Sequence, residues 1–302
     1  MIRRSINQKL EGIVYNNEFL YQFVRMFGIS LLYNAYGNYK IGRTIKHIKA
    51  SATNSLIIEH AGIKMKLDNS SLHDLGFAAL NKRGQIYEQE TTEYLKRFIK
   101  NGTVFIDAGA NNGFFSLFVS KQLEGTGKIY AFEPVPHTYE RFLDNIKLNR
   151  FTNIIPYKLA LADNEHNSMI NISDIEDGLN SLNPIYRSSM RIPVHVTTLD
   201  KVIKAHKIDI MKIDVEGLEE KVMRGALNII ESNERIHIIF ERNVKLIRPG
   251  SDNGINFLIG LGFRVYILRQ INGHLNMKEI SSDHRIGSCT LLASRNGMPN
   301  EL

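Results

Sequence analysis

Carboxylates recur in this sequence at one kind of position, at or just beyond the end of a short apolar run. The runs close on Asp107, Glu133, Asp163, Asp214 and Glu241, and Glu216 stands two residues beyond the fourth of these. One such acid could be a simple helix cap. Five suggest a shared crevice, because ligands of parallel α/β sheets bind beyond the carboxyl ends of the strands. The crevice suits a ligand with hydroxyls, amines or a positive charge.

The first of these acids, Asp107, opens a tight loop that contains Gly109 and Gly113. Residues 103–106 before it are β-branched and aromatic, as in a buried strand, and the apolar run 114–119 after it can start a helix. A strand, glycine loop and helix in this order let the backbone approach a small molecule closely. The unit also points the free N–H groups of the helix start at that molecule.

Two adenosine-containing ligands compete for this loop. A nicotinamide site favours G-x-G-x-x-G, but the loop reads DAGANNG, without the paired first glycines and with Asp107 where phosphates would lie. S-adenosylmethionine (SAM) has no phosphate and carries a cation, so it suits Asp107 better. Glu133 can accept hydrogen bonds from ribose hydroxyls in either case. The sequence therefore favours SAM and leaves a nicotinamide-dependent sugar enzyme as the weaker alternative.

Alternating strands and helices must position these residues. The predicted strands are 103–106, 128–132, 153–157, 209–213, 235–240, 263–268 and 288–293, and the predicted helices 84–99, 114–119, 136–149, 199–206, 217–231 and 255–261. This alternation predicts an α/β fold with a doubly wound, mostly parallel sheet. Two alternating segments, 167–173 and 191–197, predict a hairpin outside it, and residues 55–69 predict another.

Several segments together resemble the FkbM family of SAM-dependent methyltransferases. They read VFIDAGANNGFFS, AFEP, LALAD, VTTLDKVI, IDIMKIDVEGLEEKVMRGA and IIFER, with Tyr87-Glu88 as the usual lead-in. The resemblance covers roughly residues 85–245. It implies a class I methyltransferase fold, Rossmann-like, with a seven-stranded sheet whose last strand is antiparallel. It also implies a transferase that methylates, most often, a hydroxyl of a sugar, glycan or other natural product.

The resemblance also implies roles for individual residues. Glu133 would hold the ribose and Asp163 would face the adenine amino group. Asp214 and Glu216 would line the place where the methyl donor meets the acceptor. Residues 178–182 are a further candidate for cofactor or substrate contact. The methionine half of SAM would be cradled by Asp107, Gly109, Asn111, Asn112 and Gly113.

A hydroxyl acceptor must lose its proton, so a general base is expected within hydrogen-bond reach. Asp214 is the first candidate, because it ends the strand next to the glycine-loop strand. Glu216 and Glu241 follow as catalytic candidates, and His195 is a remote one. Capping of the next helix is the alternative for Asp214, and a salt bridge to a neighbouring arginine is the alternative for Glu241.

We predict no metal site. The ten histidines never fall at ligand spacing, and the single cysteine, Cys289, excludes a thiolate site. A magnesium ion on Asp214, Glu216 and Glu241 is the alternative if the three converge. Cys289 itself fits a buried small residue in a protein of a reducing compartment.

The net charge of +7 is concentrated at the start of the chain, where residues 1–50 carry +6 and leave +1 for the other 252. This distribution argues against a nucleic-acid-binding surface on the main domain. We predict an arm over residues 1–84, helical and then a short hairpin, and a methyltransferase domain over residues 85–302.

The apolar stretch 19–36 lies within that arm. It contains Arg25 and is too interrupted for a membrane span, so it predicts an amphipathic helix docked on the domain or on a partner. A basic helix lying on an anionic membrane is the alternative. We expect a cytoplasmic protein, with peripheral membrane contact through residues 1–50 as an open option. A non-catalytic binding platform with the same fold also stays open.

Overall fold

The computed structural model of the protein describes residues 55–68, 71–172, 180, 182, 190–205, 207–244, 246, 254–271, 273–281 and 286–297. The helix predicted within 19–36 lies outside the described residues, as does most of the segment 178–182. Membrane contact through residues 1–50 therefore stays a prediction. Every helix in the described part of the chain is too short or too polar to cross a bilayer.

The strands alternate with helices through most of the described chain, as the sequence predicts. The strands are β1 (Ser55–His60), β2 (Ile63–Asp68), β3 (Val104–Ala108), β4 (Lys128–Phe132), β5 (Ile154–Tyr157), β6 (Ala160–Leu161), β7 (His166–Ile172), β8 (Met190–Thr197), β9 (Ile210–Ile213), β10 (His237–Arg242), β11 (Arg264–Ile271), β12 (His274–Ile280) and β13 (Cys289–Ser294). The helices are α1 (Leu72–Lys82), α2 (Gln89–Phe98), α3 (Phe114–Leu123), α4 (Pro136–Asn149), α5 (Leu199–Val202), α6 (Glu219–Arg224), α7 (Leu227–Ser232) and α8 (Ile255–Gly260).

The central sheet has the strand order β12-β11-β13-β10-β9-β3-β4-β5. Neighbours from β10 to β5 run parallel, whereas β13 is antiparallel to both β10 and β11. This confirms the mostly parallel α/β fold whose last strand is antiparallel. An eighth strand, β12, extends the expected seven along the β11 edge. The sequence gives little sign of β12, because Leu275 is its single buried side chain.

The two faces of the central sheet bury separate apolar clusters, since successive strand residues point to opposite faces. Phe105 and Ile239 belong to one cluster, and Ile106 and Ile238 belong to the other. The hairpin β1–β2 packs Ile63, Met65 and Leu67 into the first cluster. The hairpin is therefore joined to the core of the main domain. The division of the chain at residue 84 stays a prediction.

Outside the central sheet, β6, β8 and β7 form a small three-stranded sheet. Its β7–β8 pair is antiparallel and confirms the hairpin predicted from segments 167–173 and 191–197. The apolar run that closes on Asp163 is predicted to end at the same edge of the central sheet as the other strand-end acids. In the structure Ala160–Leu161 instead pairs with β8 in the small sheet.

One predicted helix is divided in the structure, and one helix of the structure was not predicted. The single helix predicted over 217–231 is two, α6 and α7, which meet at Gly225. A Cβ on Gly225 would lie 2.0 Å from the carbonyl oxygen of Ala162, so this junction packs backbone against backbone. Helix α1 was not predicted, and the glycine at position 76 weakens its local helix signal. Its N-cap is Ser71, whose side chain accepts a hydrogen bond from the Asp74 N–H.

Candidate active site

A cavity of about 450 Å³ opens at the carboxyl ends of β3, β4, β9 and β10. Its volume falls in the range of small-molecule sites. The predicted site residues that line it are Gly109, Asn111, Asn112, Glu133, Asp214, Glu216 and Glu241. The predicted residues that do not line it are Asp107, Gly113 and Asp163. Of the strand-end acids, Glu133, Asp214 and Glu241 therefore share one crevice, whereas Asp107 and Asp163 do not line it.

The glycine loop depends on two positions without a Cβ. Gly109 has φ +91°, and a Cβ there would lie 1.9 Å from the carbonyl oxygen of Asp214. Gly113 has φ +90°, and a Cβ there would lie 2.1 Å from the ring of Phe142 on α4. Gly109 thus brings the loops after β3 and β9 together, and Gly113 lets α3 begin against α4.

Asp107 lies beneath the loop, near the end of β3, with 1% of its surface exposed. Its Oδ2 accepts a hydrogen bond of 2.6 Å from the hydroxyl of Ser116. Its Oδ1 is buried and has no hydrogen-bond partner among the described residues. Burial raises the pKa of Asp107 above its ordinary value, against the opposing charge of Lys212. The structure places this carboxylate behind the loop, outside the cavity wall.

Glu133 fastens the loop from the end of β4. Its Oε2 accepts from the Asn111 N–H at 3.0 Å and its Oε1 accepts from the Val135 N–H at 2.9 Å. Burial raises the pKa of Glu133 to about 7, although these backbone hydrogen bonds oppose the shift. The carboxylate therefore lines the cavity and also fixes the loop that faces it.

The side-chain amide of Asn112 forms hydrogen bonds within the protein through both its nitrogen and its oxygen. Its Nδ2 donates to Asp74 Oδ1 at 2.9 Å, and its Oδ1 accepts from the Phe114 N–H at 3.3 Å. Asn111 differs, because its Oδ1 is buried without a hydrogen-bond partner among the described residues. Of the two neighbouring amides, Asn111 is the one whose oxygen is available to a ligand.

Asp163 is exposed and lies outside the cavity. The chain bends into the small sheet at β6, which carries the following acid away from the central strand ends. The cavity wall on this side is apolar, with Leu161 and Ile170 among its residues. The structure therefore offers an apolar surface where the resemblance implied a carboxylate.

The predicted catalytic acids come together. One carboxylate oxygen from each of Asp214, Glu216 and Glu241 lies within 4.8 Å of the others. Burial raises the pKa of Glu241 to about 8, and the charges of Asp214 and Glu88 add to the shift. His195, in contrast, is exposed beside Glu165, outside the cavity.

Lys212 was missed in the sequence analysis, although a lysine inside the apolar strand β9 is an unusual feature. It is 4% exposed, its Nζ donates to Asp214 Oδ2 at 2.8 Å, and Nζ lies 4.5 Å from the ring centroid of Phe115. Burial alone would lower the pKa of Lys212, but the carboxylates of Asp214, Glu88 and Asp107 raise it well above its ordinary value. A charged ammonium therefore lies among these acids.

This ammonium bears on the magnesium alternative. Asp214, Glu216 and Glu241 do converge, which is the condition that the alternative required. However, Lys212 already supplies a cation to Asp214. The convergence of the three acids therefore does not by itself require a metal, and the absence of a metal stays a prediction.

Two further cavity residues were not predicted as site residues. Glu88 lines the cavity at the start of α2 with φ 39°, and burial raises the pKa of its carboxyl. Cys289 lines it from β13, half-buried, and burial raises the pKa of its thiol. A thiol in that state is neutral at ordinary pH, as expected for a packing residue.

Comparisons with known proteins match the family resemblance seen in the sequence. The family model of the methyltransferase FkbM domain matches residues 107–265. Methyltransferase sdnD from Sordaria araneosa is 26% identical over 155 residues, which cover 40% of this chain and 59% of that protein. Hexuronic acid methyltransferase AglP from Haloferax volcanii is 25% identical over 150 residues, which cover 48% of this chain and 59% of that protein. The chain thus spans a little over half the length of these two curated relatives.

Among solved structures, a methyltransferase FkbM from Methylobacillus flagellatus KT superimposes with a TM-score of 0.43 at 13% identity. The superposition covers 67% of this chain and 50% of that one.

Proposed function

This chain belongs to the methyltransferase FkbM domain family, and on that premise we propose that it transfers a methyl group from SAM to a hydroxyl of a sugar, glycan or other natural product. The observation that carries the proposal is the sharing of one cavity by the predicted site residues. Its wall joins the glycine loop, Glu133 and the acids Asp214, Glu216 and Glu241. The sugar acceptor is supported by the hexuronic acid methyltransferase among the relatives.

The residues present fit SAM. The absence of a Cβ at Gly109 lets the loops after β3 and β9 meet at the cavity wall, and Asn111 Oδ1 is a buried acceptor that a ligand ammonium could satisfy. Carboxylates around the cavity favour a cation and disfavour phosphates. The residues around the cavity therefore give no support to the nicotinamide alternative.

Each part of the wall has a role in this proposal. The loop at Gly109 and Asn111 holds the methionine end, Glu133 accepts hydrogen bonds from the ribose, and Leu161 and Ile170 cover the adenine. When bound, SAM supplies an electrophilic methyl group on a sulfonium. The protein then holds the acceptor oxygen in line with it, which is the main contribution of proximity and orientation.

Glu241 is the proposed general base. Its pKa of about 8 is closer to neutral than that of an ordinary carboxyl, and a base works best when its pKa lies near the working pH. Asp214 was the first candidate from the sequence, but its Oδ2 already accepts a hydrogen bond from Lys212 Nζ at 2.8 Å. We assign Glu241 to take the hydroxyl proton on a carboxylate oxygen, and Asp214 to hold the acceptor through a hydrogen bond.

The experiment is a calorimetric titration with SAM, followed by transfer of a radiolabelled methyl group to a panel of hydroxylated glycans and cell extracts. We expect binding in the micromolar range and label in a neutral or acidic saccharide. No binding at millimolar SAM would overturn the proposal. Binding without any labelled product would favour the non-catalytic platform.

A further inference from the structure

We infer that Asp74 on α1 is a positioning residue for the cofactor loop, residues 109–113, so that the segment before the matched family domain forms part of the SAM site. The inference rests on the proposed function for the identity of the ligand. Asp74 lies 33 residues before the first of the matched residues 107–265, and all of α2 lies between them. Its contacts nevertheless reach the centre of the site.

The carboxylate of Asp74 is the meeting point of four segments. It is 1% exposed, and its Oδ1 accepts from Asn112 Nδ2 of the loop at 2.9 Å. Its Oδ2 accepts from the Asp68 N–H at the end of β2 at 2.8 Å and lies 3.2 Å from Arg141 Nη1 on α4. One buried side chain thus ties the hairpin, α1, α4 and the loop together.

The loop is held at Asn112 from a second direction. The Asn112 carbonyl oxygen accepts from Asn145 Nδ2 on α4 at 2.9 Å. Asn145 Oδ1 in turn accepts from the Lys66 N–H on β2 at 2.6 Å. Both anchors of Asn112 therefore lead back to the hairpin and to the helix that packs on it.

Asp74 is held in its ionised form. Burial alone would raise the pKa of its carboxyl, but the hydrogen bond from His73 and the charge of Arg141 hold that pKa below its ordinary value. Hydrogen bonds to an ionised acceptor are stronger than neutral ones. His73 also lines the cavity, so α1 supplies both a wall residue and the anchor.

Asn112, which Asp74 anchors, is the chain neighbour of Asn111, which lines the cavity. The Asn111 N–H donates to Glu133 Oε2, so a shift of Asn112 would move both the loop backbone and its clamp. A cradle for a small molecule must hold its donors within about half an ångström. Asp74 therefore acts on the ligand through Asn112, without touching it.

The test compares Asp74→Asn with Asp68→Asn by calorimetry with SAM. Asp68 is the matched control, because its carboxylate also faces Arg141, at 3.4 Å, whereas the Asn112 side chain forms its hydrogen bonds with Asp74 and the Phe114 N–H. In D74N an amide must turn a donor towards either Asn112 or Asp68, so one bond is lost. We expect roughly tenfold weaker SAM binding in D74N, as for a lost hydrogen bond to a charged group, and no more than a twofold change in D68N.

The reciprocal variant D74N/N112D separates positioning from general damage. Its amide and carboxylate can form the same hydrogen bond with donor and acceptor exchanged, so SAM affinity should recover most of the loss. Asn112→Ala serves in place of D74N if that variant does not fold. Equal affinities in D74N and wild type, or no recovery in the double variant, would overturn the inference.

Amide hydrogen exchange of the ligand-free protein supplies a readout that needs no SAM. We expect the peptide spanning residues 109–114 to exchange about tenfold faster in D74N than in D68N or wild type. Unchanged exchange in D74N would refute the anchor, even if SAM never binds. Absence of SAM binding by the wild type, with faster exchange in D74N, would refute the proposed cofactor and leave the anchor supported.

Discussion

The Nζ of Lys212 lies 2.8 Å from Oδ2 of Asp214, with 5% and 24% of the two side chains exposed. The pair lies at the boundary between the proposed methyl-donor and acceptor regions. The positive charge of Lys212 also opposes the rise that burial causes in the pKa values of Asp107 and Glu88. A single buried cation therefore balances carboxylates from three separate segments.

Replacement of Lys212 by Met should destabilise the protein. Asp214 and Asp107 would lose their counter-charge, and breaking a buried ion pair costs about 3–5 kcal/mol. Because the pKa of Lys212 is raised in the folded state, its contribution is fully present below the unfolded-state pKa of about 10.4. Urea denaturation at pH 7 measures the loss. The double variant K212M/D214N should recover part of it, and a purely additive result would contradict the pairing.

Turnover should rise with pH through about 8, because Glu241 must be ionised to accept the acceptor proton and its pKa is raised to about 8. Glu241→Gln should lower kcat by about 10²- to 10⁴-fold, the usual contribution of a general base. Calorimetry should show SAM affinity within threefold of wild type, as a control. A variant that keeps full turnover and the same pH profile would return the base role to Asp214 or Glu216.

SAM affinity should rise as pH passes about 7. Burial raises the pKa of Glu133 to about 7, and the ionised carboxylate is the better acceptor for ribose hydroxyls and for the Asn111 N–H. Glu133→Gln should weaken SAM binding by roughly tenfold and flatten this pH dependence. Titrations at pH 6 and pH 8.5 on both proteins check the prediction. A pH dependence that persists in E133Q would point to another group.

Gly109→Ala should abolish productive SAM binding. The position has φ +91°, and the new Cβ would overlap the Asp214 carbonyl oxygen at 1.9 Å. The backbone strain alone costs about 1–3 kcal/mol, and relief requires the loops after β3 and β9 to separate. Gly260→Ala is the control, because a Cβ there meets nothing within 4 Å. Thermal unfolding should show lower stability, and calorimetry a loss of SAM binding, in G109A. Neither should change in G260A.

Chelation should leave the activity unchanged. Lys212 already provides Asp214 with a cation, so the acid cluster can balance its charge without a bound ion. Turnover with EDTA should match turnover with added magnesium. An activity that EDTA removes and magnesium restores would show that Asp214, Glu216 and Glu241 hold a metal.

The parallel half of the fold was predictable because its signals are local. The strand 128–132 and the helix 136–149 match β4 and α4 in full, since an apolar run and a proline at the helix start mark them without tertiary context. Strand β12 and helix α1 lack such marks. Strand β12 is a polar edge strand, and helix α1 contains a glycine. Both therefore depend on packing against the rest of the protein, which the local sequence pattern does not indicate.

Most of the acids that end central strands lie around one cavity, as their positions in the sequence predict, and their roles stay predictions. Glu133, Asp214 and Glu241 line the cavity, as their strand ends implied. Asp163 follows a strand, β6, that lies outside the central sheet because Ala160 pairs with Val196 of β8. The hydrogen bond from Asn112 to Asp74 joins residues that are far apart in the sequence, so the residue types alone do not reveal it.

Because β13 lies between β10 and β11, the central sheet cannot be completed until β13 has been synthesised. The β11–β12 hairpin reaches the rest of the central sheet only through β13, within the described strands. The ribosome delivers β10 some fifty residues earlier, with Ile238 and Phe240 already on an unpaired edge. A nascent chain halted before β13 would present that edge to other polypeptides. Chaperone capture of stalled chains should therefore be concentrated at β10.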